Sequence, residues 1–450
     1  MAQNSMPCIG PISDATVHDV CGDRELPPLG LIEQQWETDP ISSEDIEEAA
    51  ATAAGNFSLD GVPRGGSVAI GAGSRGIANL SGIIRGVVEE FQNRGYKPFV
   101  FPAMGSHGGA TAEGQREKLA ALGVTEETVS CEIQATMSVE TIGETPDRGV
   151  PVFADTNAVA ADAIVPVNRI KPHTDFEGPV ESGLSKMLVI GMGKQAGAKI
   201  AHEWAIDWSL RNMIPEIASL LVEELPVVGG VAIVEDQRDH TAIIEGVPPS
   251  EFLSREAELL ETAYEIMPRL PFDDLDILII DQMGKDISGT GMDTNVVGRR
   301  PYAINEPEPE TPNIKRIYVR SLTPASHGNA AMVGMADFIH EQLLDEMDES
   351  KAFINALTAS CPRGVRTPPA VKSDEAALLA AISSIGVKNT DEMTVLRITD
   401  TMRLEQLYAS KELVERARDN DNLTVISEPE PVSFDDGQFA APAPVYPKRE

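Results

Sequence analysis

From residue 66 onward the chain alternates short apolar runs with longer segments of helical period. SVAIGAG (67–73) is continuously apolar and ends in glycines, as a strand covered on both faces requires. NLSGIIRGVVEEFQNRG (79–95) repeats its apolar residues every three or four positions and stops at a glycine, which predicts a helix. KPFVFPAM (97–104) is a second strand, and GATAEGQREKLAALG (109–123) a second helix, capped at or near Thr111. After a polar stretch (128–149) come two further apolar runs, VPVFADT (150–156) and ADAIVPVNRI (161–170). Upstream, SSEDIEEAAATAA (42–54) predicts one helix with a serine-rich start.

The same alternation resumes past Pro268 and Pro271. LDILIID (275–281) is a buried strand opening into a glycine-rich loop, and EPEPETPN (306–313) is an acidic, proline-rich surface loop. KRIYVRSL (315–322) is a strand, HGNAAMVGMADFIHEQLL (327–344) is helical, and a helix near 373–385 precedes the strand TVLRITD (394–400). Strands alternating with helices imply largely parallel sheets with sites at strand C-terminal ends. The expected fold class is α/β, with two α/β domains facing a shared interdomain cleft. Their expected bounds are residues 1–267 and 268–425, with 426–450 an irregular tail.

At 450 residues and 42% hydrophobic, the chain can build cores of that size. Acids outnumber bases by 71 to 36, giving a net charge of −35. That balance excludes nucleic acid, whose phosphates need clustered Lys and Arg, and disfavours membrane surfaces. It suits a heavily hydrated surface in a salt-rich cytoplasm. The four cysteines form no CxxC pair and lack zinc-finger spacing, which fits buried thiols in a reducing compartment. The first thirty residues lack the basic start and apolar core of a signal peptide, so a cytoplasmic location is expected.

Against this acidic background one stretch, residues 169–204, gathers Lys171, His173, Lys186, Lys194, Lys199 and His202. Lys186 follows small residues and precedes an apolar run, where a lysine stem can enter an apolar wall and its amine can act as a nucleophile. His173 follows a strand in a turn fixed by Pro172, with Asp175 and Glu177 placed to orient its ring. His107 ends the second strand inside a glycine-rich turn, so two histidines on two strand-end loops form a candidate acid/base pair. His202 is a candidate metal ligand, although no HExxH, paired cysteine or other protein-only metal pattern accompanies it.

GAGSRG (71–76) matches the dinucleotide fingerprint, which makes Gly73, Ser74 and Gly76 candidate cofactor contacts. A ribose-binding acid should end the following strand, but that strand ends FPAM. Arg75 inside the turn suits bidentate capture of a carboxylate or phosphate.

The sequence GSHGGAT around His107, His173 followed by a turn and Lys186, and His202 sixteen residues after that lysine together resemble the nickel-pincer lactate racemase family. The resemblance spans roughly residues 60–420, including the GKDISGTGMDTN loop (284–295). It implies a racemase or epimerase of a small 2-hydroxy acid that works by hydride abstraction and return. The implied cofactor is a nickel-pincer nucleotide, a pyridinium thioamide/thiocarboxylate mononucleotide whose nickel is completed by a histidine. On this resemblance Lys186 is the covalent tether and His202 the nickel ligand. His107 and His173 are the acid/base pair, and Arg75 and Lys285 bind the substrate carboxylate. Cofactor-making enzymes are then implied partners, and a homo-oligomer stays open.

Ala72 stands where that family carries an acid, and the turn after His173 is longer and more acidic, which points to a larger or differently charged 2-hydroxy acid or a sugar acid. Two other classes stay open: a nicotinamide-dependent dehydrogenase using GAGSRG, and a non-catalytic ligand- or cofactor-binding protein.

Overall fold

The computed structural model describes residues 10–22, 24–73, 76–300 and 306–444. The chain divides into two compact units, one of Thr38–Met267 and the other of Met1–Glu37 with Pro268–Glu450. Both are α/β units with largely parallel sheets. Strand β1 (Leu29–Gln34) belongs to the second unit, which corrects the expectation that residues 1–267 form one domain. It does so because β1 pairs antiparallel with strands from the far end of the chain, a long-range match that leaves no local mark in the sequence.

In the Thr38–Met267 unit the strands are β2 (Ser67–Ala72), β3 (Lys97–Pro102), β4 (Val139–Glu144), β5 (Pro151–Asp155), β6 (Ala163–Arg169), β7 (Gly230–Glu235) and β8 (Thr241–Val247). The main sheet runs β3-β2-β6-β7-β8, parallel except for β8. VPVFADT, expected beside the other buried strands, instead pairs antiparallel with β4 in a separate two-stranded ribbon. Its partner was hidden in the polar stretch, because β4 (VETIGE) carries too few apolar residues to announce a strand.

Apolar residues cover both faces of the main sheet, as parallel strands demand. On one face the helix Leu80–Asn93 buries Leu80, Ile83, Ile84, Val87, Val88 and Phe91, spaced so that all lie on one stripe. Truncating Phe91 alone would cost roughly 3–5 kcal/mol in such a core. The helix Ile46–Gly55 crosses it so closely that a Cβ at Gly86 would lie 2.2 Å from the Glu47 carbonyl oxygen. Phe101, Leu184, Leu188, Met213 and Ile214 belong to a second buried cluster of the same unit.

The other unit holds β9 (Asp274–Met283), β10 (Asn313–Leu322), β11 (Phe338–His340), β12 (Ala370–Val371), β13 (Val395–Ile398), β14 (Gln406–Ser410), β15 (Leu423–Val425), β16 (Phe434–Asp435) and β17 (Gln438–Phe439). Its large sheet runs β12-β11-β10-β9-β13-β14-β1-β15, with β9 to β13 mutually parallel. The segment 327–344, expected to be one helix, contains a left-handed residue at Met332, a short turn, and strand β11 before a helix begins at Glu341. Parallel pairing of Phe338 and Ile339 with Tyr318 and Val319 outweighs the helical pattern.

The expected irregular tail is docked. β16 and β17 form a hairpin, the Phe439 N–H donates to Asp374 Oδ2 at 2.8 Å, and buried Arg397 reaches the Ala441 carbonyl at 3.0 Å. No helix among the described residues is long and apolar enough to cross a membrane.

Candidate active site

Within the Thr38–Met267 unit the chain leaves β2 for β3 on one side and later returns to place β6 on the other. Such a reversal opens a crevice beyond the strand C-termini, where α/β units bind ligands. A cavity of about 180 Å³ lies there, lined by Gly73 after β2, by Ala103 to His107 after β3 and by Asn168 and Arg169 at the end of β6. Lys171, His173, Asp175, Lys186 and His202 complete its polar wall. Gly73 allows the close approach, since a Cβ there would lie 2.9 Å from Asn168 Oδ1.

Lys171 and Ser182 exchange two backbone hydrogen bonds, closing the intervening segment into a loop. Buried Glu181 folds that loop inward: Oε2 accepts from the His173 N–H at 2.5 Å, and Oε1 accepts from the Gly178 N–H at 3.1 Å and the Tyr264 hydroxyl at 3.0 Å. The His173 ring stacks on Phe176 at 4.6 Å, and its Nδ1 accepts the Asp175 N–H at 3.0 Å. Orientation by the side chains of Asp175 or Glu177 was expected; the Asp175 carboxylate lies 3.9 Å from Nδ1, and the closer contact is the Asp175 backbone. The other ring nitrogen, Nε2, makes a short contact with Lys186 Nζ.

Lys186 ends a helical turn, Leu184–Lys186, that runs into a wider π turn, Met187–Gly191. The preceding residue anchors this turn from beneath, because Ser185 donates through its N–H (3.0 Å) and hydroxyl (2.6 Å) to Glu256 Oε2. Glu256 is fully buried, and burial pushes its carboxyl up to about 7 against the opposing bonds from Ser185 and Leu184. Gly191 packs on the far side, where a Cβ would come within 2.5 Å of the Ala103 carbonyl oxygen. π turns inside helices are frequent at functional sites, where they re-aim side chains.

His202 projects from the next helix, Lys194–Trp208. Burial lowers its pKa, the nearby Lys186 charge acts in the same direction, and Asp175 opposes both. A neutral imidazole is the form that offers a lone pair to a metal ion. His107 sits in the turn after β3, exposed, just before Gly108 and Gly109 in left-handed conformation. The helix after it starts at Thr111, whose hydroxyl accepts the Gly114 N–H at 3.1 Å as a cap.

Four sequence-derived candidates, His107, His173, Lys186 and His202, therefore line one cavity, with Gly73. Ser74 and Arg75 lie outside the described residues. Gly76 is exposed and not part of the lining. Lys285 belongs to the other unit, where its ammonium donates to the Gly289 carbonyl (2.5 Å) and Asn355 Oδ1 (2.6 Å). Arg169, paired with Glu235, and Lys171 are cations of the lining to which sequence reasoning gave no role. Their signal was position alone, at and just beyond the end of a predicted strand. Among the described residues, no three His, Cys, Asp or Glu side chains group to hold a metal ion.

No family model and no curated protein matches the sequence. Among solved structures, the chain is similar to a protein from Thermotoga maritima at 14% identity and a TM-score of 0.44, covering 63% of this chain and 72% of that one. It is also similar to the lactate racemase apoprotein from Thermoanaerobacterium thermosaccharolyticum at 14% identity and a TM-score of 0.40, covering 82% of this chain and 88% of that one.

Proposed function

We propose that the protein is a racemase or epimerase of a 2-hydroxy acid, using a nickel-pincer nucleotide tethered to Lys186. The supporting observation is the convergence of Lys186, His202, His107 and His173 on one strand-end cavity. These residues fit the group: a half-buried lysine can carry a covalent attachment, and one imidazole held neutral suffices when the remaining ligands belong to the cofactor. Lys186 would hold the nucleotide and His202 its metal. When bound, the group supplies a reversible hydride acceptor, which avoids a carbanion at the poorly acidic C2 position.

The chain's own residues carry the proton chemistry. Each hand of a 2-hydroxy acid presents its hydroxyl on a different side, so each needs its own base, and His107 and His173 stand on loops after different strands. His173 Nδ1 accepts a fixed backbone N–H, so the neutral ring carries its proton on Nε2, the nitrogen facing the cavity residue Lys186, and in this state His173 is the acid of the pair. Attachment at Lys186 would remove an ammonium from beside that nitrogen. Arg75, with Arg169 and Lys171, would hold the substrate carboxylate while C2 inverts. A nicotinamide site is disfavoured because β3 ends in Pro102 and continues through Ala103 and Met104, with no acid for a ribose.

The test is intact mass, peptide mapping and nickel analysis of protein co-produced with cofactor-making enzymes. A mass increase on the Lys186 peptide with stoichiometric nickel is expected. Neither adduct nor nickel under those conditions overturns the proposal. Given an adduct, a screen of 2-deuterated hydroxy acids should show inversion with the deuterium retained at C2.

A further inference from the structure

Behind the His107 turn lies a buried polar group that the proposed chemistry does not use. Lys194 is fully buried at the start of the helix that carries His202, with a positive φ of 55° that a lysine adopts only when its surroundings hold it there. Its ammonium donates to Gln115 Oε1 at 3.0 Å and to the Pro102 carbonyl, and forms an ion pair with Asp155 Oδ2 at 2.9 Å. Asp155 is itself fully buried, and its other oxygen caps the N–H groups of Asn157 and Ala158. Burial lowers the Lys194 pKa, and Asp155 opposes that shift.

Gln115 extends the network to the site. It is fully buried, and with its oxygen held by Lys194 its amide must present Nε2 in the other direction. Nε2 donates to the Gly105 carbonyl at 2.8 Å and the His107 carbonyl at 3.3 Å. The same turn is tied again to the Lys186 side of the cavity, where the Gly105 N–H donates to the Gly191 carbonyl at 3.0 Å. His107 is exposed and leads into three consecutive left-handed residues, Gly108, Gly109 and Ala110, so the turn that carries it has an unusual backbone course that the Gln115 bonds help to fix.

We propose that Gln115 is a positioning residue for His107, and that Lys194 is the hub registering the His107 turn against the helix carrying His202. Opposite walls of the cavity are thereby held at a fixed separation through one buried amide and one buried ammonium. The consequence for catalysis rests on the function proposed above. The positioning itself does not, and can be read in the unloaded chain.

The experiment is NMR of the histidine ring signals in full-length protein carrying 13C-labelled histidine, with His107→Asn used to assign the His107 signal. Gln115→Met removes both the acceptor and the donor at nearly constant volume. Gln115→Glu keeps an oxygen for Lys194 and removes only the N–H groups that reach the turn. In both folded variants the His107 signal should shift or split by more than its linewidth, while those of His240, His327 and His340 stay in place. A His107 signal unchanged in either folded variant overturns the proposal and reduces the network to general support of the fold. Gln115→Glu decides the matter if Gln115→Met fails to fold. Because no cofactor is needed, failure to find a Lys186 adduct leaves this result standing, and an unmoved His107 leaves the adduct test standing.

Discussion

Glu256 Oε2 accepts both the backbone N–H and the hydroxyl of Ser185, at 3.0 and 2.6 Å, from a position with no solvent exposure. The pair fixes the turn from which Lys186 projects. Desolvation outweighs those bonds and raises the carboxyl from 4.5 to about 7. A raised folded-state pKa favours the protonated form. Its contribution to stability is therefore fully present below the unfolded value and is lost as pH rises through about 7. With a shift of this size the loss is on the order of 3 kcal/mol. Urea unfolding from pH 4.5 to 8 should show wild type losing stability relative to Glu256→Gln, which has no proton to release. Parallel curves would show that Glu256 titrates normally.

The helix Leu80–Asn93 offers a paired test of close packing. Replacing an interior helical glycine by alanine ordinarily gains up to about 1 kcal/mol. At Gly82 the new Cβ would meet Ile46 Cγ2 at 3.4 Å, an ordinary contact, so Gly82→Ala should be neutral or stabilising. At Gly86 it would meet the Glu47 carbonyl oxygen at 2.2 Å, and a backbone atom of a packed helix cannot rotate away. Overpacking costs of roughly 1–3 kcal/mol then exceed the propensity gain. Thermal melts should separate the variants, Gly86→Ala below wild type and Gly82→Ala at or above it.

Lys171 lines the cavity from a loop pinned by its backbone bonds to Ser182, so its side chain can be changed without disturbing that bridge. If it helps hold the substrate carboxylate, Lys171→Met should raise KM about tenfold or more, the scale of one charge-assisted contact, with a smaller change in kcat. An unaltered KM for a 2-hydroxy acid that the wild type turns over would remove Lys171 from substrate binding.

Local pattern made the site more legible than the architecture around it. His107 and His173 lie after strands and line one cavity, as expected of apolar runs ending in glycine or proline, because strand ends are where such sheets put their ligands. Lys186 and His202 were found as members of a spaced set, although spacing alone could not show that a π turn and a following helix bring them to one cavity. Glu181, Glu256 and Gln115 escaped notice, and Lys194 was singled out without a role, because a buried polar residue looks like a surface one until its partners, 8 to 92 positions away, are known. The membership of β1 in the distant sheet was illegible for the same reason. Segment 327–344 misled because a run of small and apolar residues suits a helix as well as a buried loop and strand.

The tether and metal-ligand roles proposed for Lys186 and His202 can be tested separately, because the two residues stand on different helical segments. Lys186→Ala should leave no covalent adduct and no turnover. His202→Ala should keep the adduct, since the attachment nitrogen is untouched, but should lose nickel on dialysis against a chelator. Loss of the adduct in His202→Ala would mean that His202 acts in attachment rather than in holding metal. Nickel retained at wild-type level in that variant would mean that the last ligand comes from elsewhere in the cavity. His173 is then the first alternative, because its imidazole already faces Lys186 Nζ. Combining His202→Ala with His173→Asn would show whether the remaining nickel depends on it.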